Sequence, residues 1–481
     1  MMWRLPARGA ESCSMQLLHT PMMTGVCSSA LGIAASVQIW LGRWRHSGML
    51  MVTTALGVGA ITGLGAVGFR WLIIFFTRLF TGVEDYSALG RVPSAQWPAL
   101  GLWFLLLSPM VAGAIYGPIV HHFAPEARGH GVPEVMFAVA RGGGRIAPQV
   151  TIVKALASAL CIGGGGSVGR EGPIVQIGAA AGSAVGQVLR LDGRRLQLLL
   201  ACGAAGGISA TFNAPLAGVF FALELILCSL DAESAGVVLL SSVAAAVVGR
   251  ALMGDHPFLS LPGFSVQRPF EYLLYGLLGV GAGVVAAAFS KVLYWVEDAC
   301  DWIWRGPQWA RPAVGGVVLG ALLVALPQMY GVGYPVLRNA VSGHYAITML
   351  VVLLLGKIFA TSLTIGIGGS GGIFAPTLFI GAMAGSAFGQ TIHQLDPALS
   401  VVASSYALIG MGALLGGATG APITAVVTLF ELTGQYSIIL PLMIAVSLAT
   451  FTARMLGEHT IYTAKLWRRG ITLNDTAGRH L

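Results

Sequence analysis

The chain has 481 residues, enough for two or three soluble domains, yet 56% are hydrophobic, only 10% are charged, and the mean hydropathy is +0.79. A water-soluble protein of that apolarity would aggregate, so soluble enzymes and soluble binding modules are excluded and a polytopic membrane protein is expected. The net charge of +8 sits largely on connections and ends, where it sets membrane orientation and does not indicate nucleic acid.

Residues 1–46 resist assignment. Arg4 and Arg8 precede an apolar run from Met22 that has the look of a secretory leader, but a cytoplasmic tail, or a start upstream of the true one, fits better. From Met49 to Leu456 come roughly a dozen apolar stretches of spanning length, such as residues 49–76, 271–293 and 347–368. Five breaks that end in proline, four of them with glycine, interrupt them: GHGVP (129–133), GREGP (169–173), NAP (213–215), GIFAP (372–376) and GAP (420–422). Glycine permits an unwound turn, and proline is favoured at the first helical position, so each break predicts a helix start. Past Tyr462 about 19 mostly polar residues remain, too few for a soluble domain. The expected divisions are a segment 1–46, a membrane domain 47–467 and a short tail 468–481. Arg43, Arg45, Arg468 and Arg469 make both ends basic, which predicts cytoplasmic termini and an even number of crossings. Cys13, Cys27, Cys161, Cys202, Cys228 and Cys300 form no CxxC pair and read as free buried or lipid-facing thiols. The pair His121–His122 has no zinc spacing around it, and no cofactor is expected.

The sequence also repeats itself. AGSAVGQ at 181–187 returns as AGSAFGQ at 384–390, a register of 203 positions. In that register Lys154 meets Lys357, Ser167 meets Ser370, Gly169 meets Gly372, Pro173 meets Pro376 and Gly178 meets Gly381. After a slippage of four, Ala214-Pro215 through Glu224-Leu225 meets Ala421-Pro422 through Glu431-Leu432. Chance likeness among glycine-rich segments does not match lysines, prolines and glutamates together. Two halves, near 48–255 and 270–456, therefore share one plan. Paired halves mark a transporter-type fold with its site between them, and an odd number of crossings in each half would invert one against the other.

Broken backbone at membrane depth is tolerated only inside protein or beside a watery cavity. A helix start carries free N–H groups and about half a positive charge. Several starts converging near the midplane would make a seat for an anion. Few basic side chains lie within the breaks, which suits passage, because a full charge in dry surroundings would hold the ion too tightly. Arg170 is the exception and reads as structural or as a charge at the pathway edge.

GHGVPE, GREGP and GIFAP, in this order and followed by a tyrosine near the end, resemble the CLC family of chloride channels and transporters over about residues 40–467. The resemblance implies an all-α membrane fold of two inverted repeats with broken helices. It also implies a homodimer with one anion pathway per subunit, in the bacterial inner membrane, and the short form without paired cytoplasmic regulatory domains. Chloride, and other small anions, would be the substrate, and protons a possible second one. Glu171 looks like the external gate, a carboxylate that imitates the anion and swings away when protonated. Ile373 and Phe374 look like backbone N–H donors to the central ion, and Tyr462 like its inner hydroxyl donor. His130, Gly131, Gly169, Arg170 and Gly172 belong to the same anion-binding turns.

Two departures from the family pattern stand out. His130 occupies a place where many members have serine; its imidazole could donate an N–H, gain a proton near neutral pH or face away. Leu225, directly after Glu224, stands where exchangers of the family commonly carry an inner proton-transfer glutamate. Leucine carries no proton, so the leading expectation is passive conduction by a voltage-gated chloride channel, with chloride/proton exchange by another route as the alternative. Glu224 would point about 100° away around a helix. It and Glu431 read as structural, hydrogen-bonding helix starts or polar partners. Lys154 and Lys357, each four helical turns before its glycine break, either raise the anion potential of the pathway or bond to carbonyls at broken helix ends, the second being preferred.

Two enzyme-like patterns fail. GGSVG (165–169) and GGSGG (368–372) satisfy G-x-S-x-G, but no strand precedes either. GGGGSVGRE (163–171) lacks the Lys-Ser/Thr of a phosphate loop.

Overall fold

The computed structural model describes residues 48–254, 266, 268–395 and 403–471. The expectations for residues 1–46, with Arg43, Arg45, Cys13 and Cys27, and for 472–481 lie outside these residues. Met1–Met51 forms a unit of its own, of which Gly48–Met51 is described, and Val52–Leu481 forms the unit that carries the helical fold.

Secondary structure among the described residues is helical, with two isolated β-bridges. The first half runs α1 (Gly48–Thr81), α2 (Phe104–Phe123), α3 (Val132–Ala140), α4 (Gln149–Gly163), α5 (Glu171–Val188), α6 (Gly193–Phe212), α7 (Pro215–Phe221) and α8 (Ala232–Met253). The second half repeats the series as α9 (Glu271–Ile303), α10 (Arg311–Ala325), α11 (Tyr334–Val341), α12 (Ile347–Gly366), α13 (Phe374–Leu395), α14 (Ala403–Thr419), α15 (Pro422–Thr433) and α16 (Ile439–Leu456). A short α17 (Thr463–Arg468) follows.

Among the described residues, six helical stretches, containing α1, α2, α8, α9, α12 and α16, are long and apolar enough to cross a membrane. The other apolar stretches of the sequence fall in shorter or more glycine-rich helices. Helices α4, α7, α10 and α15 are short, while α5, α6, α13 and α14 are rich in glycine and alanine and packed inside protein. Hydropathy alone does not separate a helix facing lipid from one facing other helices.

The seven-letter repeat sits where these inner helices touch. A Cβ on Gly182 would lie 2.2 Å from the Leu199 carbonyl oxygen, and one on Gly385 2.1 Å from that of Tyr406. Gly178 and Gly381 approach Gly203 and Gly410 in the same way. Small residues four apart let α5 meet α6, and α13 meet α14, backbone to backbone. Ser183 and Gln187 then pin the preceding loop by donating to the carbonyls of Gly144 (2.7 Å) and Ile146 (2.9 Å). Ser386 and Gln390 hold the end of α11 and the turn after it in the same way, at Ala340 (3.0 Å) and Tyr345 (2.9 Å).

The halves are inverted about an axis that runs between repeat mates. Gly169 donates its N–H to the Gly372 carbonyl at 2.7 Å and accepts from the Gly372 N–H at 2.6 Å. Equivalent residues that contact each other reciprocally are related by a two-fold operation.

Candidate functional site

Three glycine turns converge beside that axis, each opening a helix: GHGVP before α3, GREGP into α5 and GIFAP into α13. Proline stands first in α7 and α15, second in α3 and third in α5 and α13, where the sequence expectation put it first throughout. It remains within the first turn, whose N–H groups have no intrahelical partner. The turns are so close that side chains are excluded. A Cβ on Gly172 would lie 2.3 Å from the His130 carbonyl oxygen, and one on Gly131 2.9 Å from that of Gly172. Gly129 has φ +78 and Gly131 φ +82, conformations that favour glycine.

Glu171 is the first residue of α5 and is fully buried. Its carboxylate lies at the head of α13: Oε2 accepts the Ala375 N–H at 3.3 Å, and Oε1 accepts the phenol O–H of Tyr334. A Cβ on Gly169 would fall 2.3 Å from Oε2, so a side chain there would push the carboxylate out of this position. Arg170 Nε is 3.9 Å from Oε1, and its guanidinium lies over the Tyr334 ring, 5.3 Å from the centroid. Ile373 and Phe374 are buried at the start of α13, with the Phe374 ring between Phe212 (5.5 Å) and Phe221 (6.4 Å).

His130, in the first turn, is buried with neither ring nitrogen hydrogen-bonded. Its ring centroid lies 6.4 Å from that of buried Tyr462, which directly precedes α17. The turns are held from behind by two buried lysines. Lys154 Nζ donates to the carbonyls of Ala127 (2.9 Å) and Gly129 (2.8 Å). Lys357 Nζ donates to those of Gly331 (3.1 Å) and Val332 (3.0 Å) and to Ser167 Oγ (2.9 Å).

Glu224, Leu225 and Glu431 lie where α7 and the turn that follows it meet α15. Each glutamate accepts from the first N–H groups of the other half's helix. The stretch Ala222–Leu227 is π-helical, so the α-helical angle assumed between Glu224 and Leu225 does not apply.

The sequence reading missed Tyr334. GVGYP (331–335) repeats the plan of GHGVP 202 positions on, with Gly331 at φ +61 and Gly333 at φ +88. The repeat register carried that signal, since Lys154 and Lys357 brace these two turns in the same way.

Inverted halves whose broken helices converge on one buried carboxylate, held by the Ala375 N–H at a helix start, define a membrane transport protein with an anion-like seat between repeats. Residues 112–454 match the family model described as voltage gated chloride channel. The chain belongs to this family, the CLC chloride channels and transporters. A protein of Ralstonia nicotianae, named for its likeness to the chloride channel protein ClcB, is 33% identical over 422 residues, covering 87% of this chain and 97% of that one. The H(+)/Cl(-) exchange transporter ClcA of Vibrio parahaemolyticus is 36% identical over 423 residues, covering 85% of this chain and 88% of that one. Among solved structures, a slow cyanobacterial Cl-/H+ antiporter superposes with a TM-score of 0.76 at 26% identity, covering 87% of this chain and 97% of that one.

Proposed function

We propose that this protein exchanges chloride for protons across a bacterial inner membrane, with Glu171 as the gate of the anion pathway. The observation that carries the reading is the seat of the Glu171 carboxylate, buried and bonded to the Ala375 N–H at the head of α13. A carboxylate held by helix-start amides occupies a position that would suit chloride, because both are monoanions that accept N–H bonds. Protonation removes its charge and frees the seat, so one group couples proton uptake to anion passage. The Vibrio relative and the cyanobacterial structure are named as exchangers, which favours this reading over the passive channel expected from Leu225. Ile373, Phe374, His130 and Tyr462 are the proposed surroundings of the central ion, and Gly131, Gly169 and Gly172 its backbone turns. Arg170 is a charge at the pathway edge. Lys154, Lys357, Glu224 and Glu431 act structurally. Chloride is the substrate and no cofactor takes part; the working unit is a homodimer with both termini cytoplasmic, on the family pattern.

Passive conduction is the second reading. Leu225 favours it, as does the name of the Ralstonia relative. Reversal potential in proteoliposomes under a proton gradient separates the two. Exchange shifts it away from the chloride Nernst potential, whereas a channel leaves it there.

A further inference from the structure

We infer that Tyr334 is a latch on the gate: its phenol O–H holds the Glu171 carboxylate in the anion seat and must release it before the pathway opens. The inference rests on the reading of Glu171 as the gate and adds a residue that sets how firmly the gate is shut.

The backbone beneath Tyr334 is fixed. Gly331 and Gly333 take positive φ, and Lys357 Nζ binds the Gly331 and Val332 carbonyls on one side and Ser167 Oγ on the other. The phenol is therefore delivered to one place, and there it meets Oε1 of Glu171. The carboxylate is gripped from two elements at once, by the α11 phenol at Oε1 and the α13 amide of Ala375 at Oε2.

Tyr334 also stands at a boundary. A cavity of about 400 Å³ is lined by Tyr334 and Arg170 together with Arg70, Arg250, Arg338 and Asp85. Tyr334 and Arg170 are half-buried, whereas Glu171 is fully buried and outside the lining. The phenol and the guanidinium stacked on it thus separate the cavity from the carboxylate. An anion in the cavity faces this pair, and the carboxylate lies directly behind it.

The charged and titratable groups that face Glu171 are Arg170 beside it, Tyr334 on α11, Lys357 on α12 and Tyr462 before α17. Lys357 is engaged with carbonyls and Ser167, and no bond joins Tyr462 to the carboxylate among the described contacts. Tyr334 donates to it through a neutral group. A phenol O–H donated to a carboxylate favours the ionised form over the protonated one. Tyr334→Phe keeps the ring beneath the Arg170 guanidinium and removes the phenol's bond to the carboxylate together with its contact to Arg170.

Chloride efflux from proteoliposomes as a function of pH, in the parent, Tyr334→Phe, Glu171→Ala and the double variant, tests this. Tyr334→Phe is expected to move the midpoint of acid activation about one pH unit higher and to raise efflux at neutral pH about tenfold. In the Glu171→Ala background the same substitution is expected to change efflux less than twofold. Incorporating 3-fluorotyrosine in place of Tyr334, a stronger donor of nearly the same size, is expected to move the midpoint the other way. An unmoved midpoint in both Tyr334 variants, with pH dependence abolished in Glu171→Ala, overturns the latch and leaves the gate standing. An equal gain in the Glu171→Ala background also overturns it, because the phenol would then act on pathway width. Persistent pH dependence in Glu171→Ala removes the gate and the latch together.

Discussion

Glu224 caps the helix that carries Glu431, and Glu431 caps the helix that leads into Glu224. Glu224 accepts from the N–H groups of Ile423 (3.2 Å) and Thr424 (2.8 Å), Glu431 from those of Leu216 (3.0 Å) and Ala217 (2.7 Å). The exchange crosses the same pseudo-two-fold axis as the Gly169–Gly372 pair. A carboxylate at a helix start satisfies orphan donors and opposes the positive end of the dipole.

That geometry makes the glutamates stabilising. Glu224→Ala and Glu431→Ala should each cost about 1–2 kcal/mol, the range for losing a cap. Thermal unfolding in detergent reads the loss as a lower midpoint. Gln at either position should recover part of it, since an amide oxygen still accepts. Unchanged midpoints in both Ala variants would show that the caps hold nothing.

Transport should accelerate as pH falls. The ionised Glu171 carboxylate occupies the seat and the protonated one does not compete for it. Above its midpoint the protonated fraction drops tenfold per pH unit, so efflux should fall about tenfold per unit there. Glu171→Gln should be fast and flat with pH. A pH-dependent Gln variant would move the titrating group elsewhere.

Glycine contacts give a paired stability test. Gly385→Ala drives a Cβ to 2.1 Å from the Tyr406 carbonyl oxygen, backbone that cannot yield without parting α13 from α14. Gly281→Ala, at an exposed position of α9, meets nothing within 4 Å. Gly385→Ala should impair assembly and lower the unfolding midpoint, by about 1–3 kcal/mol for an overpacked contact. Gly281→Ala should be neutral or slightly stabilising by helix propensity. Equal behaviour would mean that the close approach is not needed.

The short α17 is fastened by charge. Arg469 pairs with Glu134 at 2.7 Å and 2.9 Å, Arg468 with Asp298 at 2.6 Å and 2.7 Å, and Lys465 with Glu297 at 3.4 Å. Partly exposed pairs are weak singly and screened by salt, but three on one turn of helix act together. Arg468→Ala with Arg469→Ala should speed amide hydrogen exchange across residues 460–469, and high salt should do so in the parent. Because Tyr462 precedes this helix, chloride affinity should fall in step. Exchange that stays slow would assign the anchoring to apolar contacts.

The architecture was legible because a duplicated membrane protein writes each structural device twice. Matching glycines, prolines, lysines and glutamates in one register exposed the two halves. What hydropathy could not resolve was which helices face lipid, since α5 and α13 are apolar through glycine and alanine and contact protein. Individual contacts between halves were less legible. Tyr334 is 163 positions from Glu171, and its motif GVGYP shares only its glycines and proline with GHGVP. The π-helical turn around Leu225 likewise has no pattern that separates it from an ordinary helix.

His130 carries its two ring nitrogens into the protein interior. Both lie buried without a partner, 6.4 Å ring to ring from Tyr462. A buried polar group left unsatisfied costs about 1–3 kcal/mol, so such a pair is retained where something supplies the missing bond. A halide between the two rings would accept an imidazole N–H and a phenol O–H together. Crystals grown in bromide should therefore show anomalous density between His130 and Tyr462. In Glu171→Gln a second peak should appear beside the Ala375 N–H that the carboxylate now takes. His130→Phe should remove the first peak and leave the second, because only the first needs the imidazole. Bromide seen at neither place, in crystals that hold it elsewhere, would leave the converging helix starts without an ion to serve.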